Sequence, residues 1–104
     1  MRDRMTDNEV FTRALAELAR ARKKYPLWPA DPFVALAVLQ EEVGELTKAV
    51  LQYTYEPNKK VTADDILAEG VQVIAMAVRF ASNFDKYDFV RTAQIEDGDR
   101  YDRE

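Results

Sequence analysis

Apolar residues recur every three or four positions along most of this chain, and this spacing is typical of α-helices. Glycine is scarce, with three residues in 104, and β-branched residues are not clustered, which argues against strands. We therefore predict an all-α domain over residues 1–90, with three main helices and a short C-terminal segment. Residues 91–104 form a predicted acidic tail, with a composition typical of disordered segments.

Capping residues and prolines mark where the first two helices begin and end. The first helix is predicted over 7–24, with Thr6 and Glu9 as a capping box and prolines soon after its end. The second begins after Asp31, an N-cap followed by proline, and runs to about residue 55.

The second and third helices carry more apolar surface than one small chain can cover. On the second helix, six residues at a 3-4-3-4-3 spacing form a seam typical of helix bundles: Leu36, Leu39, Val43, Leu46, Val50 and Tyr53. The third helix, predicted from Thr62 to about residue 84, is apolar on two sides and should be central to the core. Since a chain of 104 residues has few other elements that could cover this apolar surface, we predict that the chain self-associates.

The composition excludes several kinds of chemistry. Without Cys or His there is no disulfide, thiolate nucleophile, zinc–cysteine site or triad of the serine-protease type. The three glycines are too far apart for a phosphate-binding loop. The net charge of −4 argues against a nucleic-acid partner. The charged first residues are not followed by an apolar run, and the longest apolar stretch is broken by polar residues, so we expect neither a secretory signal nor a membrane-spanning helix. We expect a cytoplasmic protein.

Acidic residues gather at helical spacing on the second and third helices. Glu41, Glu42 and Glu45 share one side of the second helix. The third helix carries Glu69 and Gln72 on a polar ridge, which is the line of positions 65, 69, 72, 76, 79 and 83. A polar ridge on an otherwise apolar helix is expected to face a cavity or the polar groups of a partner, because buried charge must be compensated.

Converging carboxylates need a cation. At roughly 5 Å and an effective dielectric of about 20, two carboxylates repel each other by about 3 kcal/mol. Buried acids therefore require bound metal or raised pKa values. Oxygen ligands in a chain without His or Cys favour Mg²⁺, with Mn²⁺ as the alternative. The competing interpretation is a solvated acidic face beside one structural buried Glu.

Two segments resemble the acidic motifs of MazG-like proteins in the all-α NTP pyrophosphatase superfamily. Residues 39–46 read LQEEVGEL and are similar to the family's first motif, EExxE. Residues 68–73 read AEGVQV and lie on the next long helix, where the second motif, ExxD, is expected. The resemblance covers about residues 25–84.

The resemblance implies a bundle whose four-helix core is completed by homodimerisation, in a dimer or a tetramer. It implies a Mg²⁺-dependent enzyme that cleaves nucleoside triphosphates between the α and β phosphates, giving the monophosphate and pyrophosphate. By position, the metal ligands are Glu41, Glu42, Glu45 and Glu69. Gln72 stands where the family usually has Asp, and its amide oxygen can still ligate Mg²⁺ without adding charge.

The remaining site residues are assigned by hypothesis. Glu42 or Glu45 orients or deprotonates the attacking water. Lys48, Arg79 and Asn83 contact the substrate's phosphates or sugar, although ion pairs within the protein explain the two basic residues about as well. Trp28 stacks on the base, unless it only closes the turn between the first two helices.

Two other functions remain open at this stage. One is an enzyme of the same superfamily that acts on phosphoribosyl-ATP. The other is a non-catalytic helical dimer that binds a nucleotide or a protein partner, and Gln72 in place of Asp favours it.

Overall fold

The computed structural model describes residues 5–90, in which every regular element is helical. The helices are α1 (Asp7–Lys24), α2 (Pro32–Tyr55) and α3 (Ala63–Ser82), with single 3₁₀ turns at Pro57–Lys59 and Phe84–Lys86. The all-α prediction with three main helices is confirmed. The predicted acidic tail at 91–104 lies outside the described residues.

Side-chain caps fix where the helices begin, as predicted. The Thr6 hydroxyl accepts a hydrogen bond from the Glu9 backbone N–H at 3.1 Å, and the Glu9 carboxylate accepts one from the Thr6 N–H at 2.8 Å. Asp31 caps α2 by accepting a hydrogen bond from the Phe33 N–H at 2.8 Å. Thr62 and its capping box start α3 in the same way.

The end of α3 differs slightly from the prediction. The helix stops at Ser82 and not at about residue 84, and two side chains there bind the Arg79 carbonyl in its last turn. The Asn83 amide donates a hydrogen bond to the Arg79 carbonyl at 2.8 Å, and the Ser82 hydroxyl donates to the same carbonyl at 3.3 Å. Such side-chain bonds compete with continued helical pairing.

The central position predicted for α3 is confirmed. It packs against both α1 and α2, whereas α1 and α2 share no such contact surface within residues 5–90. Leu18, Ala75 and Met76 form the buried cluster, and Trp28 and Val38 are among the side chains packed around it. With α3 as the floor, the space between α1 and α2 is left open as a cleft.

The apolar seam of α2 is only partly covered by the rest of the chain. Leu39 packs against the core cluster, but Val43 and Val50 are 38% and 42% exposed. The fully covered positions of α2 are instead the alanines Ala35 and Ala49. Small side chains here let α2 approach α3 closely, while the larger seam residues remain at the surface.

The segment after α3 folds back on the chain. The predicted short C-terminal segment is one 3₁₀ turn, followed up to Val90 by residues without regular secondary structure. Tyr87 is buried with its ring centroid 5.1 Å from that of Phe80, and the Asp88 N–H donates a hydrogen bond to the Ala30 carbonyl at 2.9 Å.

Between Met5 and Val90, no helix combines the length and hydropathy needed to cross a membrane.

Candidate functional site

A cleft of about 430 Å³ lies between α1 and α2, above the polar ridge of α3. Its polar lining has two sides. The acidic and amide side comprises Glu41, Glu42 and Gln72, and the basic side comprises Arg20, Lys24 and Arg79. Trp28, Val38 and Met76 supply apolar wall. The prediction that the ridge faces a cavity is therefore confirmed for positions 72, 76 and 79. We call this space the central cleft.

Glu42 is an acid whose surroundings disfavour its charged form. It lies between Ala35 and Ala49 on the side of α2 that packs against α3 and is half-buried. Burial raises the pKa of the Glu42 carboxyl, and repulsion from Glu69, and then from Glu41 and Glu45, raises it further. An acid of α2 and an acid of α3 are therefore close enough to repel each other.

The acidic cluster has no basic partner inside the described chain. Within residues 5–90, Glu41, Glu42, Glu45 and Glu69 neither accept a hydrogen bond nor form an ion pair. Repelling carboxylates without a counter-ion are the chemistry that a hard cation stabilises, and carboxylate oxygens are the ligands that Mg²⁺ prefers. In the same range, however, no three acidic side chains lie close enough together to hold a metal ion.

Gln72 is held by an acid that the sequence analysis did not single out. Its amide Nε2 donates a hydrogen bond to Glu17 Oε1 at 2.6 Å, and Arg20 donates to the same oxygen at 2.6 and 3.0 Å. The hydrogen bond from Arg20 is the main reason that the pKa of Glu17 lies below its ordinary value. The Gln72 carbonyl oxygen accepts no hydrogen bond among the described residues and is left to bind a ligand.

Arg79 and Trp28 form the far wall of the central cleft. Arg79 is only 4% exposed, and its guanidinium carbon lies 4.7 Å from the centre of the Trp28 ring. It donates a hydrogen bond to the Tyr25 carbonyl at 2.7 Å. The Trp28 indole N–H donates in turn to the Tyr87 hydroxyl at 2.8 Å. Trp28 therefore joins the α1–α2 connection to the segment after α3 and also lines the cleft.

Other predicted site residues lie apart from the cleft. Glu45 and Lys48 are exposed on α2 outside the cleft lining, and no ion pair joins them. Asn83 lines a different cavity behind Arg79. Gly44, inside the first acidic motif, allows no close helix contact among residues 5–90, because a Cβ built there would meet nothing within 4 Å.

Sequence reasoning missed the contribution of α1. Arg20 and Lys24 both line the cleft opposite the acids, although their place in the last turns of α1 by itself indicates only a favourable interaction with the helix dipole. Their spacing of four places them on one helix face with Glu17 nearby, and that pattern was available in the sequence. The sequence did not show which neighbouring helix this face would meet.

Compared with protein-family models, with curated proteins and with solved structures, the chain matches none of them. The relationship to MazG-like proteins therefore stays a prediction that depends on the two acidic motifs.

Proposed function

We propose that this protein is a Mg²⁺-dependent nucleoside triphosphate pyrophosphohydrolase, which cleaves the α–β phosphate bond to give the monophosphate and pyrophosphate. The observation that carries the proposal is the central cleft itself. Unpaired carboxylates and cationic side chains face each other across about 430 Å³, a size within the usual range of small-molecule sites. A triphosphate needs both kinds of group, because carboxylates hold the metal ion, and the metal ion and the basic side chains together neutralise the charge of the phosphates.

In this proposal, Glu41, Glu42 and Glu69 would hold the metal, with Glu45 and the Gln72 carbonyl oxygen as additional ligands. These acids would have to draw together around the ion, because no three acidic side chains in residues 5–90 lie close enough to hold it as they stand. When bound, Mg²⁺ offsets negative charge on the phosphate oxygens. Glu42, whose pKa is raised by burial and neighbouring acids, is the group suited to accept a proton from the attacking water.

The basic side of the cleft would bind the polyphosphate. Lys24 and Arg79 supply positive charge there, while Arg20 is already engaged by Glu17. Trp28 offers apolar ring surface for the base. Lys48 and Asn83, outside the cleft lining of this single chain, contribute only if a second copy or a longer substrate reaches them.

The partly covered α2 seam supports assembly into a dimer that completes a four-helix core. Val43 and Val50 lie seven residues apart on one side of the helix, with Leu36 one heptad earlier. All three are exposed apolar side chains next to the α2–α3 interface. A second copy packed along this seam would bury them and bring further acidic side chains towards the site.

Pyrophosphate release from a panel of nucleoside triphosphates tests the activity, with Mg²⁺ and with chelator. We expect Glu42→Gln to lower the rate at least about 100-fold, the usual contribution of a positioned general base. Glu56→Gln is the matched control, since it removes the same charge from an exposed position beyond the end of α2. Equal rates for the two variants, or rates indifferent to divalent ions, would overturn the proposal. Including phosphoribosyl-ATP in the panel distinguishes the related enzyme class.

A helical dimer that binds nucleotide without turnover is the second candidate. The observation that favours it is the Gln72 amide, which brings no charge and is hydrogen-bonded to Glu17 where the family motif has an acid. A thermal shift with Mg²⁺ and a triphosphate, without any release of pyrophosphate, is the expected result for this function.

A further inference from the structure

A second cavity lies on the other side of the wall formed by Trp28 and Arg79. Its volume is about 380 Å³, and it is bounded by the end of α1, the end of α3 and the 3₁₀ turn that follows. The charged residues that line it are all basic: Arg22, Arg79 and Lys86. Ser82 and Asn83 add a hydroxyl and an amide. We call this cavity the basic pocket.

Arg79 is the reason that the basic pocket requires explanation. A guanidinium that is 4% exposed is costly to bury without a counter-ion, yet no carboxylate within residues 5–90 pairs with Arg79. Of its five N–H donors, one binds the Tyr25 carbonyl, and the Trp28 ring covers one face. The remaining donors have no hydrogen-bond acceptor in the described chain.

The neighbouring groups increase the positive charge. Burial, and next the charge of Arg22, hold the pKa of Arg79 below its ordinary value, so the two guanidinium groups repel each other. Arg22 stays in place through a hydrogen bond from its guanidinium to the Ser82 hydroxyl at 3.1 Å. Lys86 makes no side-chain ion pair in residues 5–90. An anion between these groups would turn repulsion into attraction.

We propose that the basic pocket is a binding site for a phosphate group, with Arg79 at its base and Arg22 and Lys86 at its rim. Phosphate fits because its several acceptor oxygens match the planar donors of two arginines. The site is distinct from the acidic side of the central cleft and does not depend on the proposed hydrolysis. Its ligand is inorganic phosphate or the terminal phosphate of a small metabolite.

The single Trp of the chain gives the test a local signal. Inorganic phosphate is titrated into the full-length protein without divalent ions, with calorimetry and the indole N–H resonance of Trp28 as readouts. Saturable binding that shifts this resonance is expected. Arg22→Gln and Lys86→Gln should each weaken binding about tenfold or more, as loss of a charged hydrogen bond does. Titrating a nucleoside monophosphate in parallel distinguishes a metabolite from free phosphate.

Lys23→Gln is the matched control, because it removes one charge from the same turn of α1 at an exposed position outside the pocket lining. An equal loss of binding in Lys23→Gln would overturn the proposal, and so would the absence of saturable binding. Glu42→Gln should still bind phosphate, so failure of the hydrolase proposal can be distinguished from failure of this one.

Discussion

Replacing Tyr87 by Phe removes one hydroxyl group that joins three parts of the chain. That oxygen accepts a hydrogen bond from the Trp28 indole N–H at 2.8 Å and donates one to the Phe80 carbonyl at 2.8 Å. Each part-buried hydrogen bond contributes about 1 kcal/mol net, so Tyr87→Phe should lower the free energy of unfolding by about 2 kcal/mol. For a domain of this size, that corresponds to a fall of roughly 1–2 M in the urea midpoint.

Urea unfolding followed by circular dichroism and by the fluorescence of Trp28 measures the change, at one fixed protein concentration. Tyr55→Phe is the control, since Tyr55 is 75% exposed and its hydroxyl has no partner within residues 5–90. In a double-mutant cycle with Trp28→Phe, the two changes should be coupled by about 1 kcal/mol. If Tyr87→Phe and Tyr55→Phe unfold at the same midpoint, the hydroxyl does not hold the cleft wall and the reasoning is wrong.

Three further predictions concern the acids and the seam. Burial and neighbouring acids raise the pKa of Glu42 above its ordinary value in the folded state, so ionisation of this carboxyl costs stability, and the cost grows as the pH rises from the ordinary carboxyl range through the folded-state pKa. In urea unfolding, metal-free Glu42→Gln should therefore be more stable than the wild type at about pH 7 and equal to it at about pH 4. Gln72→Asp should lose about 1–3 kcal/mol in the same assay because it places a carboxylate against Glu17, and adding Glu17→Gln should restore most of the loss. Val43→Glu should weaken self-association at least tenfold in sedimentation experiments, whereas the control Ala37→Glu, on the other side of α2, should leave it unchanged. A wild-type protein that sediments as a monomer would contradict the proposed dimer.

The starts of the helices could be predicted because the signals are local. Thr6 and Glu9, or Asp31 followed by proline, form their cap within a few residues, and the structure has them as expected. The periodicity of α3 likewise predicted that it would be central. These features need no knowledge of what the rest of the chain does.

The candidate site was predictable only in part, because its geometry depends on contacts between distant residues. The line of Gln72 and Arg79 indicated a cavity, but not that Gln72 would meet Glu17, or that Arg79 would meet the Tyr25 carbonyl. The fold-back of Tyr87 onto Trp28 was equally invisible, since a short aromatic segment after a helix fits several arrangements. Helical spacing gives the side of a helix on which a residue lies, and tertiary packing decides what that side meets.

Arg79 and Trp28 are shared by two cavities, so the partition between them is one pair of side chains thick. If an occupant on one side reorients the guanidinium or the indole, it reshapes the opposite side as well. By thermodynamic linkage, if the first ligand changes the affinity for the second by some factor, the second changes the affinity for the first by the same factor. The molecule thus has the means for cooperation or antagonism between ligands within a single small chain, without any movement of its helices.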